Sequence, residues 1–316
     1  MSGLMPIFWK EFTDHLYSKR FIVLFIIIYI AGIVAIYVAS QNIRSSIADN
    51  PSQLMFLRLF ILSGENIPSF PFFLSLFIPI LGIALGFDAI NSERNSGNLS
   101  RILSQPVYRD SVINGKFLAG LMILSILVIS IVLVVGGLGL RMIGVPPSSE
   151  ELLRLFAFIF VSILYGAFWM ALAILFSVVL NRGATSAIVS IAIWIFLFFF
   201  LGMIAQAIAN AAVPITDQAT IAQVTQNDLI NRSISHISPS NLYGDITQAL
   251  LYPEMGSSSA MLMMISMYTA GMTPGSLPLG QSLLIVWPQI IALIALTAIC
   301  FAISYIRFQR EEIRST

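Results

Sequence analysis

Apolar residues along this chain fall into long unbroken runs rather than alternating with polar ones. Dividing the sequence at its charges leaves six runs near the ~20 residues that a helix needs to cross a bilayer. They cover 21–39, 68–90, 113–140, 155–180, 187–210 and 283–306. Continuous runs predict helices, because a membrane strand would alternate. Ahead of the first run, Leu4, Phe8, Phe12 and Leu16 recur every four residues with Trp9 beside them. Lys10, Glu11 and Asp14 fall on the other face. That spacing predicts an amphipathic helix within 1–20, lying in the membrane interface as an elbow before the first span. The fold expected is all-α: one polytopic transmembrane domain, 1–316, of six helices.

An even number of spans puts both termini on one side. With the termini inside, eleven of the sixteen basic residues are internal, among them Lys10, Lys19 and Arg20 before the first span. The positive-inside rule therefore predicts an N-in, C-in protein in the cytoplasmic membrane of the cell. The first run lacks a small-residue cleavage pattern, so it is expected to stay as a span.

Composition agrees with the pattern. Hydrophobic residues make up 58% of 316 and charged residues 10%, against ~25% charged in soluble chains. The net charge of +1 gives no basis for nucleic-acid binding. The single cysteine, Cys300, makes no intrachain disulfide and reads as apolar packing. Ion-coupled carriers keep ionisable groups inside their spans. Here every Asp, Glu, Lys and Arg is expected at or beyond a span end, with His15 and His236 outside. This argues against a proton-coupled antiporter or an intramembrane protease. The nearest phosphate-loop match, GSLPLGQS at 275–282, has Gln281 where lysine is needed and no α/β context. No ATP site, cofactor or metal site is expected in this chain.

The loop after the second run, 91–112, is the charged inner stretch. Its helix is expected to continue from the second span to Asn95 and to break at Gly97. Leu99, Ile102 and Leu103 give a new turn an apolar face, rimmed by Arg94, Arg101 and Arg109, and Pro106 ends it. Asp110 or Ser111 can cap the third helix. The loop reads either as a docking knob or as an ordinary basic inner loop.

From 87 to 116 this pattern resembles the permease subunits of ABC type-2 transporters. It combines Phe-Asp (Phe87, Asp88), Glu-Arg (Glu93, Arg94), Gly97 and Leu-x-x-x-Leu (Leu99, Leu103). Ser104, Pro106, Val107 and Arg109 follow, and then Gly115-Lys116. Asn98 stands where the family has Thr, and a second Glu before it is missing. The opening FWKEFTDHLYSKRF resembles the family's elbow, and SPSNLYGDITQALL at 238–251 resembles part of the large outer loop of a six-span subfamily. The resemblance implies a permease of an ATP-driven exporter. It would work as a homodimer, or paired with a similar chain, on two copies of a separate ATPase subunit that binds ATP and Mg. It implies a coupling helix seated in the ATPase, using Glu93, Arg94, Gly97, Leu99, Arg101, Ile102, Leu103, Pro106 and Arg109. Asp88 and Lys116 would transmit motion at the span ends.

A second reading is a mechanotransmitter or scaffold acting on an outer partner through the long segment 211–282, with no substrate crossing. Within that segment 216–237 and 241–251 are expected as helices at the outer surface. The methionine-rich stretch 255–272 offers thioethers that suit Cu(I), or flexible interface packing. Asn231-Arg232-Ser233 is a glycosylation sequon.

Overall fold

The computed structural model describes residues 3–46, 54–61, 68–97, 108–144, 146–215, 220–252 and 277–310. All regular structure among the described residues is helical. Among the described residues six helices are long and apolar enough to cross a membrane: Lys19–Gln41, Phe70–Asn95, Arg109–Met142, Ser149–Val179, Gly183–Ala212 and Leu279–Arg310.

The elbow is α1, Leu4–Leu16. It leads into α2, Lys19–Ser46, and a short α3, Met55–Ile61. The second span divides in two. Helix α4, Phe70–Gly86, ends in a turn over 87–90, and α5, Asn91–Asn95, restarts beyond it. The sequence reading of one continuous helix to Asn95 is corrected there. The third span, α6, Arg109–Ile143, starts earlier than its apolar run. Tyr108 occupies its cap position without a side-chain bond, so neither Asp110 nor Ser111 caps it. At its far end Gly144, at φ 77°, donates its N–H to the Leu140 carbonyl at 2.8 Å, the left-handed stop that glycine permits.

The hub is α7, Ser149–Val179, the most buried span, which packs against the second, third and last spans. Its start is a capping box. Ser148 Oγ accepts from Glu151 N at 3.3 Å, and Glu151 Oε2 accepts from Ser148 N at 2.7 Å. The other Glu151 oxygen accepts from Phe56 N at 2.9 Å and Leu57 N at 3.2 Å. One carboxylate thus satisfies the first amides of two helices, α7 and α3. Along the α4–α7 seam, glycines let the backbones meet. A Cβ on Gly82 would lie 2.7 Å from the Gly166 carbonyl, and one on Gly86 2.6 Å from that of Met170. Small residues at such seams are the membrane route to close helix packing.

The fifth span comprises α8, Gly183–Ile195, a π-helical turn at Phe196–Phe200, and α9, Leu201–Ala212. Helix α10, Ile221–Ser235, folds back down α9, and α11, Pro239–Leu251, rises again before the last span α12, Leu279–Arg310. These are the two helices expected within 211–282, and they pack on α9, α7 and α12. Asn227 Nδ2 donates to Asn210 Oδ1 at 3.0 Å and to the Val213 carbonyl at 2.8 Å. Further down, Ser238 Oγ donates to the Leu197 carbonyl at 2.9 Å. Leu197 is midway along the fifth span, about 21 Å from Gly183 at ~1.5 Å per residue. The hairpin therefore reaches half-way down the bundle. On α10 the polar Asn227 is inside, while Ile221, Leu229 and the following Ile237 are exposed. Gln223, Gln226 and Ser233 are exposed as well, so the outward face of α10 mixes polar and apolar residues.

Tyr243 of α11 is wholly buried and stacks on Tyr165 of α7, ring centroids 4.4 Å apart. Their hydroxyls are satisfied pairwise, Tyr165 with Ser240 at 2.8 Å and Tyr243 with Ser162 at 2.9 Å. Buried polar tips in an apolar bundle need such partners. The stretch 253–276, with the methionine-rich segment and part of the 275–282 match, lies outside the described residues.

Candidate functional site

At the end of the bundle that carries both termini, α1, α5 and α6 converge on one buried lysine. Lys116 lies about 10 Å into α6 at ~1.5 Å per residue. Its side chain is only 4% exposed. Its Nζ is 2.8 Å from Glu11 Oε1 and 2.9 Å from Glu93 Oε1. Lys10 approaches the same two oxygens from outside, at 3.2 Å and 3.5 Å. Placing Lys116 at a span end understates it, since it is an internal cation shared by two carboxylates. Three elements are thereby pinned to one charge, and loss of any one group leaves a buried charge unpaired.

Gly115 explains why the elbow can come so close. A Cβ there would lie 2.9 Å from Ile7 Cγ2. The Gly-Lys pair thus has a physical content: the glycine admits α1 and the lysine binds it. Glu11 belongs to this site although its spacing put it on the polar face of the elbow; it is buried with Phe12. Burial pushes the Glu11 carboxyl up, but Lys116 and Lys10 outweigh that and hold it below its ordinary range. Burial pushes His15 down, only partly opposed by Glu11, and leaves its imidazole below the usual histidine value.

The turn between α4 and α5 is held by the hub. Ser177 Oγ accepts from Ile90 N at 3.0 Å and Asn91 N at 3.2 Å, amides left over by the helix break. Arg94 reaches the C-terminus of α7, with Nη2 3.4 Å from the Val178 carbonyl and Nη1 3.4 Å from Asn181 Oδ1. A cation at that helix end meets unsatisfied carbonyls and the negative end of the dipole. Asp88 pairs with Arg20 at 3.1 Å, and the Arg20 guanidinium also stands over the Phe87 ring at 5.6 Å. Arg109 Nη1 donates to the Gln309 carbonyl at 3.3 Å, tying the start of α6 to the end of α12. Gly97 takes φ 69°, where a side chain would be strained.

The structure thus brings together Asp88, Glu93, Arg94 and Lys116 around the loop's entry, and puts Arg109 at its exit. Leu99, Arg101, Ile102, Leu103 and Pro106 lie outside the described residues. Sequence reasoning missed Glu11, Arg20 and Ser177. Glu11 could have been found as an acid one helical turn from Ile7, the residue that fits over Gly115; nothing along the chain marks Ser177.

At the opposite end Arg154 is fully buried and reads as a latch. It pairs with Glu150 at 2.8 Å, donates to the Leu250 carbonyl at 3.0 Å and to Ser282 Oγ at 3.3 Å, and also reaches the Leu277 carbonyl. It fastens α7 to the end of the hairpin and the start of the last span.

These features define a class: a six-span helical membrane protein, with an interfacial helix and the entry of a charged loop ion-locked at the end holding the termini. The model of the family described as ABC-2 family transporter protein matches residues 5–313, and the chain belongs to that family. It is a multi-pass membrane permease subunit of an ABC transporter. A search of curated proteins finds no match.

Proposed function

We propose that this permease works in an ATP-driven exporter, coupled to a separate ATPase subunit through the loop 91–112. Family membership supports an ATPase partner. The single observation that carries the coupling reading is the Lys116 junction. The first residues of the loop, through Glu93, share one buried cation with the elbow and the third span. A push on the loop must then move α1, α5 and α6 together, or break a buried ion pair. That is the rigid connection a transmission element needs. ATP and Mg would be held by the ATPase, two copies of it beneath a permease dimer. The fifth and last spans are the least buried of the six, which leaves surface for a second chain as well as for lipid.

Leu99, Ile102 and Leu103 are the docking residues in this reading, with Arg94, Arg101 and Arg109 around them. Leu103→Asp should abolish co-purification of the ATPase while the permease keeps its wild-type unfolding temperature. Undiminished co-purification would sink the assignment. ATP-dependent solute movement in proteoliposomes of the whole complex would distinguish export from transmission to an outer partner, since a pure transmitter moves nothing across.

A further inference from the structure

The hairpin of α10 and α11 carries ionisable groups down into the outer half of the bundle, where the apolar runs of the sequence predict none. Asn227 is bonded to the outer end of α9. His236 ends the same helix, about 13 Å deeper at ~1.5 Å per residue. There His236 Nε2 donates to Asp245 Oδ2 at 2.7 Å and joins the two legs near their foot. The legs themselves pack on different partners, α10 on α9 and α11 on α7 and α12.

Asp245 is the unbalanced member of this group. Asp228, higher on α10, is paired with Arg232 at 2.6 Å. Asp245 has no lysine or arginine among the described residues, only His236, and an imidazole gives up its charge above about pH 6.5. The other oxygen, Asp245 Oδ1, accepts no hydrogen bond among the described residues and retains accessible surface; the side chain is 21% exposed, and that of His236 31%. Nor is the outward face of α10 built for hydrocarbon, since Gln226 and Ser233 are exposed on it. A charge facing lipid at such depth is costly, and one facing water is not.

We propose that the hairpin borders a water-filled cleft open to the outer side, and that Asp245 is the anchor near its foot for a small organic cation. Among the described residues no three His, Cys, Asp or Glu side chains converge closely enough for a metal ion. One accessible carboxylate suits a monovalent cation, which needs no ring of ligands. The site rests on the hairpin and not on the loop 91–112. Failure of ATPase docking and failure of this site are therefore told apart by separate measurements.

The test uses the full-length chain in intact cells, in a Cys300→Ser background. His236→Cys puts a thiol beside Asp245. It is treated with membrane-impermeant methanethiosulfonates carrying either a trimethylammonium or a sulfonate group, and modification is read on the purified chain by intact mass. Both reagents should react from outside. The cationic one should be favoured by about tenfold or more over its ratio at Ala222→Cys, the gain expected of a focused charge in a cleft. Asp245→Asn should bring the ratio back to that of A222C, Asp245→Glu should keep it, and choline should slow the cationic reagent. Ser233→Cys, exposed one turn above His236, should show the same preference and covers the case in which H236C does not fold. Thiols at both positions that stay unmodified in intact cells but react in the denatured chain overturn the cleft. A cation preference that survives D245N, or labelling that choline leaves unchanged, overturns the carboxylate as the anchor.

Discussion

Lys116 carries more of this structure than its position near a span end suggests. Lys116→Met would leave Glu11 and Glu93 facing one another with only the exposed Lys10 between them and water. Breaking a buried pair from one side costs about 3 kcal/mol or more. The expected result is a clear fall in unfolding temperature together with faster proteolysis of the N-terminal helix. Loss of neither would mean the pairing is dispensable. Acid should act at the same place. Glu11 titrates below its ordinary 4.5 in the folded chain. Its contribution is therefore complete above that value and is lost as pH falls through the folded one. His15 titrates below 6.5, so the unfolded chain takes up its proton first, and stability declines as pH drops from 6.5 toward the folded value. Unfolding temperature measured from pH 7.5 to 3 should fall with decreasing pH. Glu11→Gln should flatten the lower part of that curve, and His15→Phe the upper part.

Among the elements, the α4–α7 seam and the α10–α11 hairpin decide the shape of the bundle. Gly86→Val should be disruptive, because even its first carbon falls 2.6 Å from the Met170 carbonyl oxygen. Backbone cannot swing aside as a side chain can. About 1–3 kcal/mol is the usual cost of overpacking, and the unfolding temperature should drop accordingly. The same substitution at Gly137, with nothing within 4 Å, should be nearly silent by the same measurement. The hairpin is held differently, by hydroxyls. Ser238 reaches the Leu197 carbonyl inside the π-helical turn, a place where the helical ladder is irregular. Tyr165 and Ser240 are mutually satisfied, so Tyr165→Phe should cost about 1 kcal/mol and loosen α11 before the rest.

For the whole molecule, sidedness follows from charge. In a Cys300→Ser background, Asn95→Cys should react with an impermeant maleimide only in inverted vesicles, and Ala222→Cys only in intact cells. Both residues are exposed, so access depends on the membrane alone. The opposite pattern would reverse the topology. Six spans and both termini at one end were legible in the chain because lipid demands length and apolarity locally. The depth of 220–252 was not. Its polar residues are spent on helix–helix bonds such as Asn227 to Asn210, and in a one-dimensional reading a buried amide looks like an exposed one.

The sequence by itself determined the class of fold, the number of spans, the existence of the elbow and the motif that marks the loop after the second span. Each is a local property: a run, a period of four, or a charge at a boundary. Only tertiary structure decided which charges meet. That Glu11, Glu93 and Lys116 share one buried point, that Ser177 caps the broken second span, and that Tyr243 stacks within the bundle all depend on contacts between distant segments. The charged loop therefore begins as part of a three-helix ion lock, because a desolvated cation binds whatever carboxylates the packing brings to it.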